Sequence, residues 1–257
     1  MTGSSQSFYD HLADSYHLIF GDWDQAVQRQ GETLHELLRS QIGPGQLSVL
    51  DCSCGIGTQA IGLARYEHRI TATDSSPGAV ARARTEASRF GVEISFGIAD
   101  FRHLEEQVPG SFDAVISCDN SLPHMLTRED LLQAARSIRS KLQPGGLLLA
   151  SIRDYDSIIR EHPTATMPGV IGPPGRKRIY FQVWDWEDDG LTYTLHLFLV
   201  HEAADGWKTQ HHETRYRAVT RSELGEVLRE AGFRDVVWRM PEDTGYYQPI
   251  VTARTAA

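Results

Sequence analysis

The stretch that most constrains this chain is Val49-Leu50-Asp51-Cys52-Ser53-Cys54-Gly55-Ile56-Gly57-Thr58. The apolar run from Leu47 to Leu50 reads as a buried strand that passes directly into an acid, a tight turn with two glycines, and a helix from Gln59. Gly55 and Gly57 carry no Cβ, so the backbone can turn sharply and a ligand can lie against it. A strand, a glycine turn and a helix in this order bind nucleotides. Gly55 through Ala60 also satisfies the G-x-G-x-x-A form of dinucleotide sites, so the glycines alone do not say which nucleotide. Asp51 narrows the choice. A dinucleotide site puts a pyrophosphate at this turn, which a carboxylate beside it repels, whereas a cationic ligand is attracted.

From Leu47 to Ala150 apolar strands alternate with predicted helices over Gln59 to Arg65, Gly78 to Phe90 and Arg128 to Leu142, a pattern that specifies a parallel sheet with helices on both faces. Ligands of such sheets bind at the carboxyl ends of the strands, near the point where strand order reverses. Asp51, Asp74, Asp100 and Cys118 fall at strand ends or in the loops that follow, so distant parts of the chain converge on one crevice.

The turn resembles motif I of the class I S-adenosylmethionine-dependent methyltransferases, Asp-x-x-x-Gly-x-Gly, and the likeness continues in order along the chain. Ile70 to Thr73 ends in Asp74, with Ser75 beside it, where that family has an acid for the ribose hydroxyls. Ile98-Ala99-Asp100-Phe101 resembles its adenine clamp, Phe112 to Cys118 its fourth strand, and Leu142-Gln143-Pro144-Gly145-Gly146 with the following apolar run its fifth. The resemblance implies S-adenosylmethionine as cofactor and a Rossmann-like, doubly wound seven-stranded α/β sheet. On this reading one domain covers residues 1–257. It comprises an N-terminal helical lid (1–45), the cofactor core (46–156), a loop and antiparallel β insertion over the acceptor pocket (157–219), and the last helix and strands (220–257).

The flanking segments are consistent with that plan. Apolar residues recur at helical spacing from Ser7 to Ser40, with a break near Gly21. Tyr9, Tyr16, Trp23 and Arg29 are the members of this lid that can reach a ligand. After Asp156 an irregular stretch holds Pro163, Pro168 and Pro173-Pro174. It is followed by three strands over Ile179–Glu187, Thr192–His201 and Trp207–Tyr216, separated by Asp188-Asp189-Gly190 and Asp205-Gly206 and predicted to form a meander. Thr220 is positioned to cap a helix over Arg221–Ala231, with Glu223 as its capping-box partner.

Two stretches carry candidate acceptor chemistry. The loop after the fourth strand, Asp119-Asn120-Ser121-Leu122-Pro123-His124, holds an amide and an imidazole, and the exit of the fifth strand adds Arg153, whose fork suits a carboxylate. Here the likeness narrows to the glycine and sarcosine N-methyltransferases. Their Asn-Ser-x-x-His is matched by Asn120, Ser121 and His124, and their Arg-Asn-Tyr-Asp by Arg153-Asp154-Tyr155-Asp156, with Asp154 a departure. That likeness implies Arg153 for an amino-acid carboxylate and Arg29 for the carboxylate of the cofactor. Asn120, His124, Tyr9 and Tyr16 are the candidate catalytic groups, and Arg153, Asn120, Tyr155, Trp184 and Tyr246 the candidate acceptor contacts. The cofactor set is Asp51, Cys52, Gly55, Gly57, Asp74, Ser75, Asp100, Phe101, Cys118, Arg29 and Trp23. The aromatic residues of the meander leave an O- or C-methyltransferase of a larger aromatic or natural-product substrate as the alternative.

Composition limits the partners. The 257 residues carry a formal net charge of −9, which disfavours nucleic acid and anionic membrane and leaves a small molecule as substrate. Arg176-Lys177-Arg178 reads as a solvated loop or strand edge. No apolar run is long enough to span a membrane and Met1 to Ser7 lacks a signal-peptide core, so a cytoplasmic location is expected, with a homo-oligomer left open. No metal is expected: Cys52, Cys54 and Cys118 read as small side chains beside the ligand, and the adjacent His211 and His212 face opposite sides of a strand.

Overall fold

The computed structural model describes residues 5–173 and 175–256; Met1 to Ser4 of the lid, Pro174 of the proline-rich stretch and Ala257 lie outside them. The alternating pattern folds as read. Strands β1 (Ser48–Asp51), β2 (Arg69–Asp74), β3 (Ser95–Ile98), β4 (Phe112–Ser117) and β5 (Leu142–Ser151) run parallel, and β10 (Arg234–Arg239) and β11 (Ile250–Arg254) complete the sheet. Its order is β10-β11-β5-β4-β1-β2-β3, with β11 antiparallel to both of its neighbours. Strand order reverses between β1 and β4, and that places the crevice at their carboxyl ends.

Alternation along the central strands decides which helices cover which face. Leu50, Val115 and Leu148 pack with Leu131 and Ile138 of α6 (Arg128–Ser140) and with Leu224 and Leu228 of α8 (Arg221–Glu230). Val49, Ala114 and Leu149 point the other way, onto Leu34 and Leu38 of α2 (Trp23–Ile42) and Ala60 and Leu63 of α3 (Thr58–Ala64). Helix α4 (Pro77–Phe90) flanks β2, capped by the Ser76 side chain. The predicted helix to Leu142 stops at Ser140 because Leu142 already opens β5.

The N-terminal segment divides into α1 (Ser5–Leu12), a 3-10 turn (Tyr16–Ile19) and α2. Helix α2 packs as a layer of the core, with Leu34 and Leu38 buried against the sheet. It also meets α3 in a backbone contact: a Cβ on Gly31 would lie 2.5 Å from the Gly62 Cα, and one on Gly62 would lie 2.6 Å from the Val27 carbonyl oxygen. Two glycines thus let α2 cross α3, the helix of the nucleotide turn, at main-chain distance.

The insertion has four strands where three are predicted. A short β6 (Gly169–Ile171), drawn from the proline-rich stretch, pairs with β7 (Arg178–Trp186), followed by β8 (Thr192–Ala203) and β9 (Gly206–Arg217), all antiparallel. Tyr193, Leu195, Leu197 and Leu199 on the inner face of β8 belong to the same buried cluster as Leu50 and Leu148. Arg178 is not simply solvated: its guanidinium donates to the carbonyls of Leu18 at 2.9 Å and Phe20 at 2.8 Å, tying the insertion to the 3-10 turn. The turn between β5 and the insertion holds an unforeseen helix, α7 (Tyr155–Glu161). At α8, Thr220 accepts from the Glu223 amide at 3.2 Å, while the Glu223 carboxylate pairs with Arg217 at 2.7 Å instead of closing the capping box.

Ala in place of Gly31 gains helix propensity but places its methyl against backbone that cannot rotate away. Gly31→Ala is therefore expected to destabilise the fold by about 1–3 kcal/mol, whereas Gly21→Ala, which meets nothing within 4 Å, should leave it unchanged. Thermal denaturation of the two variants distinguishes them, and an unchanged Gly31→Ala midpoint would refute the close crossing.

Candidate functional site

Two neighbouring cavities open at the carboxyl ends of β1, β2 and β4. The first is lined by Cys52 to Ile56, Thr58, Gln59, Asp74, Ser75, Asp100, Phe101 and Cys118, and roofed by Ser5, Tyr9 and Tyr16, with Asp119, Ser121, His124 and Met125 closing its far side. The second is lined by Phe20, Arg29, Gln30, Asp119, Arg153, Tyr180, Gln182 and Tyr246 to Gln248, among others. Asp119 belongs to both.

The glycine turn is held by the acid of β2. Asp74 accepts the Gly55 amide on one oxygen at 2.9 Å and the Ser76 amide on the other at 2.9 Å. Gly55 has φ +51° and a Cβ there would meet no protein atom within 4 Å, so its side-chain direction is open space on the cavity wall. Gly57, at φ +95°, is required for a different reason, since a Cβ would press on Ile61 at 2.9 Å. Asp51 is buried at the end of β1. One oxygen accepts the Ser53 amide at 3.3 Å, and the other, among the described residues, has no hydrogen-bond partner. Burial pushes its pKa up to about 7. Neither Asp51 nor Gly57, both expected as contacts, is among the residues that line the first cavity; Asp51 sits directly behind Cys52 of its wall, where an orphaned, buried carboxylate favours a ligand that brings a positive charge. Burial keeps the thiols of Cys52, Cys54 and Cys118 well above their ordinary pKa, consistent with uncharged walls.

The lid is latched to this centre. Asp10 of α1 accepts from the Ser76 hydroxyl at 2.6 Å and from the Gly78 amide at 2.8 Å, placing a carboxylate on the first turn of α4. Tyr9 then meets His124. The Nδ1 of His124 faces the Arg215 carbonyl at 3.1 Å, so it carries the proton and Nε2 accepts from the Tyr9 hydroxyl at 3.1 Å. Tyr216 donates in turn to Tyr9 at 3.2 Å. Burial lowers the His124 pKa to about 4, which keeps the ring neutral.

The loop after β4 is strained. Asp119 and Asn120 have φ of +61° and +69°, an uncommon conformation for any residue but glycine. It is held by the Ser151 side chain on the Asp119 amide at 2.8 Å, and by the Asn120 amide group, whose oxygen accepts the Arg153 amide at 3.0 Å and whose nitrogen donates to the Tyr155 hydroxyl at 3.0 Å. The result turns the Asp119 carboxylate to the boundary of the cavities, where Tyr16 donates to one oxygen at 3.4 Å and Tyr247 to the other. Burial raises its pKa above the usual carboxylate range.

Several expected contacts are corrected. Trp23 does not line the first cavity: it is buried against Val27, Ile56 and Ile61, and its indole donates to Thr58 at 3.0 Å, bracing the turn from behind. Arg29 lines the second cavity and not the first. Asn120 and Tyr155 are spent on each other and on their loop. Trp184 stacks on Tyr193 at 4.6 Å, behind Arg153 and not in the cavity wall. Tyr246 lines the second cavity, but its hydroxyl donates to Gln30 at 3.1 Å. Asp100 and Phe101 line the first, with the Asp100 carboxylate already gripped by Arg102 at 2.6 Å. Asp119 is a site residue that the sequence reading does not single out, and its sequence signal is its place directly after a core strand; Tyr247, a candidate aromatic wall residue together with Tyr246, lines the second cavity.

Arg153 is half-buried. Its guanidinium donates to the Tyr193 hydroxyl at 3.3 Å and to the Gln182 side-chain oxygen Oε1 at 3.3 Å, with the Trp184 ring 5.0 Å and the Tyr216 ring 5.5 Å from it. None of these recorded partners among the described residues is a carboxylate. Arginine does not deprotonate in proteins, so this charge faces the second cavity with no carboxylate in hydrogen-bond contact, Asp119 of the same cavity acting on it only through space.

Comparison with known proteins agrees with this geometry. A methyltransferase-domain family model matches residues 49–146, from β1 into β5. The chain is 29% identical over 154 residues to a glycine/sarcosine N-methyltransferase of Parasynechococcus marenigrum, covering 60% of this chain and 53% of that protein, so it spans about half the length of that relative. It is 30% identical over 176 residues to a ubiquinone biosynthesis O-methyltransferase of Xanthomonas campestris, covering 66% of this chain and 69% of that one. The fold superposes on the CcbJ methyltransferase of Streptomyces caelestis with a TM-score of 0.78 at 17% identity, over 99% of this chain and 100% of that chain. Sheet order, an orphaned acid before the glycine turn and matched relatives together establish that the chain belongs to the class I S-adenosylmethionine-dependent methyltransferases.

Proposed function

We propose that this chain methylates the nitrogen of a small amine or amino acid that carries a carboxylate. The observation that carries the proposal is Arg153, a charged fork that faces the second cavity with no carboxylate in hydrogen-bond contact. Its neighbours favour the same reading. Asp119 lies across that cavity from a different loop, so an acceptor bearing an anion and an ammonium meets a complementary pair of charges.

When bound, S-adenosylmethionine supplies a sulfonium-borne methyl group that a lone pair takes in one in-line displacement. Asp51 and the Gly55 and Gly57 turn would hold its charged end, Asp74 its ribose, and Phe101 its base. The protein's further contribution is alignment in a site cleared of water, an effect worth up to about 7–11 kcal/mol. Arg153 fixes the acceptor at its carboxylate. An ammonium must lose a proton before its nitrogen can attack, and the Asp119 carboxylate receives it, held in place by the hydroxyls of Tyr16 and Tyr247. His124 stays neutral and keeps Tyr9 closed over the cavity, as a positioning residue for the lid. A second reading, methylation of oxygen or carbon on an aromatic acceptor, is favoured by Phe20, Tyr180, Tyr246 and Tyr247 in the same cavity wall.

Transfer of a labelled methyl group to a panel of amines, amino acids and phenols should mark nitrogen, and label on oxygen or carbon would select the second reading. Arg153→Ala should raise the KM for a carboxylate acceptor by about 10- to 100-fold with cofactor affinity unchanged, as expected for loss of charge-assisted hydrogen bonds. Equal loss of both affinities would count against it. Asp119→Asn should lower kcat by about 100-fold while S-adenosylhomocysteine still binds. Asp51, with its pKa near 7, is about half protonated at neutral pH. A ligand bearing an ammonium favours the ionised form, so cofactor binding should release about half a proton at pH 7. Calorimetry in phosphate and in Tris reads that release as a difference in enthalpy, and Asp51→Asn should abolish it.

A further inference from the structure

We propose that the outer face of the insertion sheet carries a site for a divalent transition metal, zinc by preference, made by His196, His211 and Glu213. Its basis is independent of the acceptor assigned above. The register of β8 on β9 sets His196 opposite Glu213 and Phe198 opposite His211, so alternation brings both β9 side chains to the face that His196 occupies. The Nδ1 of His196 lies 2.9 Å from Nε2 of His211 and 3.6 Å from a Glu213 carboxylate oxygen. All three donor atoms fall within 4.8 Å of one another. Donors that sit about 2.0–2.2 Å from a tetrahedral zinc are themselves separated by a little over 3 Å. The two separations from His196, 2.9 and 3.6 Å, bracket that edge, and small side-chain rotations bring the three donors onto one ion, with the exposed His211 leaving the outer side of the site open to solvent.

The surroundings of His196 add a second, independent sign. Its other ring nitrogen, Nε2, is 3.1 Å from the Asp185 carboxylate of β7. A metal-bound imidazole commonly donates its remaining N–H to a carboxylate, which fixes the ring and raises its basicity. The His211 ring is held from below by Phe198 at 4.8 Å, itself stacked on Phe181 at 5.0 Å. Arg215, the nearest cation along β9, is engaged by Glu187 at 3.0 Å and so does not neutralise Glu213. Two imidazoles and one carboxylate select zinc, copper, nickel or cobalt over magnesium and calcium.

His212 is no part of this set. It faces inward, 6.2 Å from the Phe8 ring, as alternation requires, and the second imidazole of the site comes instead from His196 of the neighbouring strand. The site joins β8 to β9, with β7 behind it, on the side of the sheet opposite Tyr193 and Tyr216. Metal binding there stiffens the roof of the acceptor cavity without touching an acceptor.

The test uses the full chain, free of any affinity tag and treated with chelator, titrated with zinc chloride by calorimetry and with cobalt(II) chloride by visible absorption. One equivalent should bind, the cobalt spectrum should show visible ligand-field bands without thiolate charge transfer, and zinc should raise the thermal midpoint. His196→Ala and His211→Ala should each remove the saturable phase, and Asp185→Asn should weaken it by about 10-fold. Circular dichroism and S-adenosylhomocysteine binding verify that each variant is folded. Failure to bind zinc at micromolar concentration, binding that persists in both histidine variants, or a thiolate band from Cys52, Cys54 or Cys118 overturns the proposal.

Discussion

The Asp74 carboxylate is the point on which the cofactor cavity depends. By accepting the amides of Gly55 and Ser76 it joins the turn after β1 to the start of α4, and through the Ser76 hydroxyl it reaches Asp10 of the lid. A buried carboxylate with these donors is costly to leave unpaired, so each bond constrains the others. The glycine turn, the first turn of α4 and α1 are therefore set by one network. Tyr9 and Tyr16 reach the cavity because the helix that carries Tyr9 is anchored at Asp10, one residue further on, and the following 3-10 turn is held from the insertion by Arg178.

The loop after β4 solves a second problem, that of presenting a carboxylate between two cavities. Consecutive positive φ angles at Asp119 and Asn120 are unfavourable by themselves, and the surrounding bonds from Ser151, Arg153 and Tyr155 over-determine them. Asn120 thereby serves geometry and not chemistry. The same chain of contacts continues from Tyr155 to Tyr193 at 2.9 Å and from Tyr193 to Arg153, so the loop with Asp119 and the fork that faces it are positioned by common partners.

Much of the fold is legible in the sequence because it is local. Alternating strands and helices, the acid before two glycines and the hairpin turns at Asp188-Asp189-Gly190 and Asp205-Gly206 depend on residues close together in the chain, and each appears as read. Less of the site is legible, because its polar residues choose partners from far away. Trp23 and Tyr155 have the composition of ligand contacts, yet Thr58 and Tyr193 take their polar atoms first. The Gly31 and Gly62 crossing has no periodic signature, and neither does the approach of Tyr247 to Asp119, 128 residues apart in sequence. At His211 the period-two rule correctly separates it from His212 but says nothing of the neighbouring strand, whose register depends on where the hairpin turns.

Arg153 and Asp119 keep the second cavity polar in aromatic surroundings. Both charges are partly withdrawn from water, and a direct ion pair between them would satisfy each at the expense of binding anything else. The structure avoids that pair. Tyr193 and Gln182 hold the guanidinium by its own nitrogens, and Tyr16 and Tyr247 hold the carboxylate by hydroxyls that leave acceptor capacity on each oxygen. Neutral partners fix the direction of a charge without cancelling it. On the proposed reading, an acceptor with opposite charges would replace water at both ends at once, while one with a single charge would leave the other end unpaired, so the cavity would discriminate by what it withholds as much as by what it offers.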